Sequence, residues 1–405
     1  MTPPPAPAPQ APATPRLSLL ALLISVTAIG PMALNIYLPS MPGLQRVFDV
    51  DYAVVQLTLT LYLIGLAAAQ LVYGPLSDRL GRRPVLLAGL SLSLVGTLSC
   101  LVAPSIAWLI VGRLVQAVGA CAGMVLARAM IRDLFPRERA ASVMGYVTMA
   151  MVVAPMVAPT IGGYLDEFLG WRASFVFVAA ATVAVIAAAA ALLPETHGGR
   201  PGQAGGSGPL EILRAWDLMA NPAFRRYALQ VGFTTSVFFS FVGGAPYIMV
   251  ELMGQPPSRY GLYVIMVAAM YMTGNFTTGR VAVRVGPDRM IAWGTSLSLL
   301  GTVLLVAVYA AGVLMPVTLF ACMAVVALGN GMSIPNGVAG AISVDPHRAG
   351  AASGLAGFLQ MSVGAGATAL IGLLLADSAM PLVALMLLGA VGGSAVHNLG
   401  RRRES

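Results

Sequence analysis

Arg113 makes the clearest chemical demand in this chain, because it stands inside an apolar run, 107–130, long enough to cross a bilayer. A cation at such a depth costs roughly 3 kcal/mol or more unless it is paired or faces water, so a functional role is the default expectation. Snorkelling of its stem toward the outer surface is the alternative. Gln116 lies one helical turn further on, on the same face, where it can share a polar contact. Such residues bind and orient solutes or ions; they do not make and break bonds. No Gly-x-x-x-x-Gly-Lys-Ser/Thr segment exists to bind nucleotide, and all 23 basic residues are arginine. Cys100, Cys121 and Cys322 fall within apolar runs without metal-ligand spacing, and His197, His347 and His397 are scattered. No catalytic residue, metal or cofactor is expected.

The second constellation is Gly74-Pro75-Leu76-Ser77-Asp78-Arg79-Leu80-Gly81-Arg82-Arg83-Pro84, a charged, glycine-punctuated stretch between the uncharged runs Ala53 to Tyr73 and Val85 to Ala103. It reads as a tight membrane-surface loop. The elements around it follow from composition, since 58% of residues are hydrophobic, 9% are charged and the mean hydropathy is +0.84. About twelve runs are long enough to span. The first, 17–39, reads as a retained helix behind a Pro/Ala-rich tail, and a Gly/Pro-rich polar segment divides six runs from six. The chain thus divides into a disordered tail (1–16), an N-terminal six-helix half (17–193), a linker (194–226), a C-terminal six-helix half (227–399) and a short tail (400–405). Leu210 to Phe224 has the spacing of a helix lying on the membrane surface, with a plain linker the equal alternative.

Sorted by loop, 19 of the arginines fall on the side of the tails, Arg128 and Arg132 among them. The positive-inside rule then puts both termini in the cytoplasm. Topology also explains the basic pI of about 9.8 without invoking nucleic acid. Gly279-Arg280-Val281-Ala282-Val283-Arg284-Val285-Gly286 echoes the charged loop at the equivalent place in the second half, with Val283 replacing the acid.

These residues carry a resemblance. The loop after the second run resembles the signature between helices two and three of the major facilitator superfamily. Further matches are Asn35-Ile36-Tyr37-Leu38-Pro39, Arg113-Leu114-Val115-Gln116, Arg132-Asp133-Leu134-Phe135-Pro136, Ala154-Pro155-Met156-Val157-Ala158-Pro159-Thr160-Ile161-Gly162-Gly163 and Asp345-Pro346-His347-Arg348. Together they are similar to the bicyclomycin- and chloramphenicol-resistance (Bcr/CflA) type of bacterial multidrug exporter. The resemblance implies an all-α integral membrane fold of twelve transmembrane helices in two pseudo-symmetric halves of six, embedded in the bacterial inner membrane. It also implies a central cavity, where we place Asn35, Tyr37, Tyr62, Arg113, Gln116, Phe238, Phe239 and Tyr247 as substrate-binding residues; aromatic walls with a few polar groups suit amphiphilic organic molecules. Gly74, Asp78, Arg79, Gly81, Arg82, Arg83 and Arg132 are the expected gating set. In it Gly74 permits close helix approach and Asp78 accepts hydrogen bonds from a facing helix N-terminus. Gly145, Pro155, Pro159, Gly162 and Gly163 match an antiporter-type helix, although Ala154 and Ala158 occupy two of its glycine positions.

One departure matters. Where the family's Asp-x-Tyr-x-Pro pattern puts an aspartate thought to couple protons with the arginine, this chain has Asn35, which cannot exchange a proton. All fifteen acids fall near one membrane surface or the other, with Glu251 and Asp377 the weak remaining candidates. The expected function is export of small amphiphilic drugs by a monomer, with alternating access and drug/proton antiport. The alternatives are an uncoupled or differently coupled carrier of organic anions using Arg113, and a membrane sensor that transports nothing.

Overall fold

The computed structural model describes residues 17–135, 137–196, 216–345 and 348–404. The tail 1–16, most of the linker, and with it the start of the expected surface helix lie outside these residues. What is described of that segment is a short 3-10 turn, Trp216–Ala220.

Twelve long helices dominate: α1 (Leu17–Asn35), α2 (Tyr52–Leu80), α3 (Arg82–Leu101), α4 (Ile106–Leu134), α5 (Arg137–Leu169), α6 (Arg172–Leu192), α7 (Pro222–Tyr247), α8 (Pro257–Val285), α9 (Pro287–Ala310), α10 (Pro316–Ser343), α11 (Ala349–Leu374) and α12 (Met380–Glu404). Among the described residues ten helices are long and apolar enough to cross a membrane. Their starts are chemically marked. Proline opens α7, α8, α9 and α10, where a missing N–H costs nothing. The Ser105 hydroxyl accepts from the Trp108 N–H at the head of α4, and Asn221 Oδ1 accepts from the Ala223 and Phe224 N–H groups at the head of α7.

Two expectations change. The first run does not continue as one helix to residue 39; α1 stops at Asn35 and a 3-10 turn, Leu38–Ser40, leads into a short helix, Met41–Phe48, ended by Asp49 in the left-handed region at φ 51°. The Gly74–Pro84 stretch, expected as a tight loop, is mostly helix as well. Helix α2 runs on past its apolar part to Leu80, α3 starts at Arg82, and Gly81 at φ 95° makes the whole turn. A helix needs no apolar residues once it leaves the bilayer, which is why hydropathy ends it too early.

The repeat is structural as well as sequential. Gly81 and Gly286 share one backbone conformation, φ 95° and ψ 151° against φ 86° and ψ 154°, at the α2–α3 and α8–α9 turns. At the α3–α4 crossing, a Cβ on Gly96 would strike the backbone of Gln116 and Gly112; at α9–α10, one on Gly301 would strike that of Val326 and Cys322. These equivalences match Gln116 to Val326 and Arg113 to Met323.

Each half is packed largely on itself, α2 and α3 against α4, and α8 and α9 against α10. Between the halves the most extensive contacts are those of α2 with α11 and of α5 with α8. Their hydrogen bonds are one-sided. Among the described residues, those between halves are Tyr52 Oη to the Gly243 carbonyl (2.7 Å), Thr60 with Thr368 (2.9 Å), Thr160 Oγ1 to the Gly261 carbonyl (2.9 Å) and Arg46 to Glu251 (3.3 Å). All lie toward the end away from the arginine-rich turns, here called the far end. At the arginine-rich end Arg82 pairs with Asp78 and Asp133, and Arg226 with Asp288, each within its own half.

Candidate functional site

Arg113 sits at the centre of a sealed polar cluster between α1, α2, α3 and α4. Its side chain is fully buried. One guanidinium nitrogen donates to the Ala33 carbonyl (2.9 Å) and to Gln116 Oε1 (2.6 Å), and Gln116 Nε2 donates on to Thr97 Oγ1 (2.8 Å). The charge lies over two aromatic faces, 4.8 Å from the Tyr37 ring centre and 4.2 Å from that of Tyr62. Both rings are fixed in turn, because the Tyr37 hydroxyl bonds Thr58 (3.0 Å) and the Tyr62 hydroxyl donates to the Gly30 carbonyl (3.0 Å). A desolvated cation over an aromatic ring gains about 2 kcal/mol or more. That offsets part of a burial cost of several kcal/mol, and among the described residues no carboxylate completes the pairing. Nε and the second terminal nitrogen of Arg113 make no hydrogen bond, facing ring rather than oxygen.

The other expected binding residues divide. Asn35 is buried beside the cluster, but its amide donates back to the Pro31 carbonyl of its own helix (2.8 Å). Arg113 holds the backbone carbonyl two positions earlier, and the Asn35 side chain makes its own bond within α1. Phe239 is buried against Gly364 of α11, with half-buried Phe238 edge-on to it at 5.4 Å. Tyr247 belongs to the far-end seal, its ring 4.6 Å from that of Tyr52. The structure therefore brings Tyr37, Tyr62, Arg113 and Gln116 into one cluster with Asn35 at its edge. Phe238, Phe239 and Tyr247 stand apart from it on α7.

At the arginine-rich end Arg82 is the hub, and it is largely buried. It holds Asp78 (2.6 Å), Asp133 (3.2 Å) and the Ser77 hydroxyl. Asp78 thus pairs with its own turn rather than with a facing helix N-terminus. Gly74 also departs from expectation: a Cβ there would meet nothing within 4 Å, so it mediates no close approach in this conformation. The halves make no hydrogen bond at this end among the described residues, and that leaves the glycine free. Arg79 and Arg132 are exposed, and Arg83 donates to the Ala190 carbonyl (2.6 Å).

The unforeseen partner is Glu195, whose two oxygens accept from the backbone N–H groups of Arg82 (2.9 Å) and Arg83 (3.2 Å). A carboxylate on the positive end of α3 is electrostatically favoured. Nothing in the sequence near Glu195 announces this pairing, because its partners lie at the head of a helix three spans earlier. Gly81→Ala tests the turn. Its Cβ would enter 2.8 Å from Glu195 Oε2 in a backbone region that only glycine tolerates. We expect a loss of about 1–3 kcal/mol, seen as a lower unfolding temperature in detergent; an unchanged transition would mean that the turn relaxes freely.

On α5, Pro155 and Pro159 lie inside an unbroken helix. A Cβ on Gly162 would collide with the Ile36 carbonyl, and one on Gly163 would lie 2.6 Å from that of Pro257. These glycines let α5 meet α1 and α8 at the far end. Gly145 falls in α5 where side-chain surroundings are not among the described residues. Cys100, Cys121 and Cys322 are buried and unbridged.

A family model described as Major Facilitator Superfamily matches residues 23–368. The chain belongs to the major facilitator superfamily. Among its relatives are an uncharacterized MFS-type transporter, YdgK, of Bacillus subtilis (strain 168), 31% identical over 385 residues and covering 94% of both chains. Multidrug resistance protein D of Escherichia coli (strain K12) is 31% identical over 87% of this chain and 88% of that one. A chloramphenicol resistance protein of Pseudomonas aeruginosa is 32% identical over 91% of this chain and 88% of that one. Among solved structures, a bacterial homologue of the human lysosomal transporter Spinster, described as inward-facing and unoccupied, aligns with a TM-score of 0.76 at 17% identity, over 96% of this chain and 98% of that one. That likeness concerns the fold alone. The superfamily chain is a multi-pass membrane transporter and not an enzyme.

Proposed function

We propose that this transporter exports small amphiphilic drugs from the bacterial cytoplasm by alternating access, with drug/proton antiport. The relatives named for resistance to several drugs and to chloramphenicol support the substrate class. The observation that carries the mechanism is the one-sided bonding: among the described residues the hydrogen bonds between halves all lie at the far end. With the arginine-rich end in the cytoplasm, as the positive-inside rule assigns it, this is a carrier open inward. Export then requires the far-end contacts to part and the other end to close.

The test is an imposed proton gradient in everted vesicles, followed with a pH-sensitive dye. Added drug should collapse it. Drug flux without proton movement would sink antiport and leave the carrier.

A second reading has a specific observation behind it. Among the described residues Arg113 has no carboxylate partner, and residue 35 is asparagine, which favours an uncoupled or differently coupled carrier whose Arg113 binds organic anions. Asn35→Asp separates the two, since it puts a titratable group at a buried position of the helix whose Ala33 carbonyl Arg113 holds. Transport by the variant should acquire a marked pH dependence that the parent lacks, and a flat profile would remove position 35 as a coupling site.

A further inference from the structure

The sequence places Arg128 among the arginines of the tail-side turns, but the structure places it inside α4. It is exposed although Leu126, Ala127, Ala129 and Met130 around it are buried. The other faces of α4 are occupied: α3 by Ala122 against Gly89, α2 by Cys121 against the Leu66 carbonyl, α1 by Gly123 against Val26. Arg128 lies about 20° round the helix from Cys121 and two turns nearer the arginine-rich end, where its side chain is exposed. Its guanidinium reaches no carboxylate among the described residues, only Met151 Sδ on α5 at 3.1 Å. At 100° per residue the fifteen positions between Arg113 and Arg128 leave them about 60° apart, so both fall on one face. The matching α10 positions, found through the Gly96–Gly301 equivalence, are Met323 and Val338.

Carboxylates show the reverse distribution. Every acid of the described residues stands in a helix's first or last turn or in a connection, and at the arginine-rich end Arg82 holds Asp78 and Asp133 while Arg226 holds Asp288. Arg128 thus sets a positive charge within α4 toward the arginine-rich end, and no carboxylate of the described residues pairs with it. In a low-dielectric cleft, field from such charges is focused rather than screened.

From this we infer that the transporter selects its cargo by charge: it takes neutral and anionic amphiphiles and rejects lipophilic cations, with Arg128 as the specificity-determining residue at the open end. The inference rests on the export reading and names its substrate class. Positive-inside topology alone does not require Arg128, because it lies within the helix rather than in the turn that follows.

The experiment uses the full-length protein in liposomes with three probes: chloramphenicol as neutral, carboxyfluorescein as anion and tetraphenylphosphonium as cation. We expect flux of the first two and cation flux no greater than in protein-free liposomes. Arg128→Gln should raise the ratio of the anion's KM to the neutral drug's KM about tenfold, and Arg128→Lys should restore it, as loss and return of one nearby charge require. Cation flux comparable to that of chloramphenicol, or a ratio unmoved in Arg128→Gln, overturns charge selection while leaving export intact. No flux of any probe through protein with a normal unfolding transition overturns export itself, and this inference with it.

Discussion

An Arg113→Met, Gln116→Val double variant should fold and insert like the parent chain and yet lose about a hundredfold or more in export rate. The second half supplies the reason, because its equivalent helix crossing closes with Met323 and Val326 at the same two positions, all four residues being fully or nearly fully buried. Replacing a buried charge with apolar groups of similar volume is commonly neutral or stabilising by about 1–4 kcal/mol. A hundredfold loss corresponds to about 2.7 kcal/mol of barrier, within reach of the charge-assisted bonds from Arg113 to Ala33 and Gln116 that the variant removes. Under the anion-carrier reading the loss falls on anions above all. The measurements are the unfolding temperature in detergent and initial drug flux in liposomes. Parent-like flux would reduce Arg113 to a packing residue.

The second large effect is expected from a crosslink. Thr60 on α2 and Thr368 on α11 have hydroxyl oxygens 2.9 Å apart, and both side chains are buried in the far-end seal. Cysteines at these two positions have the proximity a disulfide needs. Oxidation of Thr60→Cys, Thr368→Cys should hold the far end shut and reduce flux to the level of protein-free liposomes, with reductant restoring it. The native thiols are buried and should not interfere. Undiminished flux through fully crosslinked protein would mean that the far end need not open. The exposed Arg46–Glu251 pair is a poor substitute for this test, since such rim pairs contribute about 0–1 kcal/mol.

The spans, their pseudo-repeat and the polar demand of Arg113 with Gln116 were legible because each is a local property of the chain. Twenty apolar residues cross a bilayer wherever they stand in a fold, and a cation within them must be satisfied whatever satisfies it. The glycine echo at Gly279 and Gly286 was legible for the same reason, since a turn at positive φ selects glycine directly. Other features were misread or unseen. The sequence points Asp78 at a facing helix, yet Arg82 holds it; it points Gly74 at close packing, yet a Cβ there would meet nothing within 4 Å; it groups Glu195 with the surface acids, yet Glu195 caps α3. Arg128 was grouped with the turns because hydropathy cannot show where a helix's polar end meets a cleft.

By itself, the sequence determined that this is a twelve-span membrane protein of the transporter type, with basic turns on one side and one cation deep in an apolar run. Only the tertiary structure decided that Tyr37 and Tyr62 seal that cation, that Tyr52, Thr60 and their partners bond the far end, and that Arg128 is left exposed toward the other one. The physical reason lies in the solvent. In a soluble helix the polar face points outward and its period tells which residues meet the core, but a helix surrounded by lipid is apolar all round. Which faces meet is then set by small residues and close packing between helices far apart in the chain, and a single strand of sequence carries no record of that pairing.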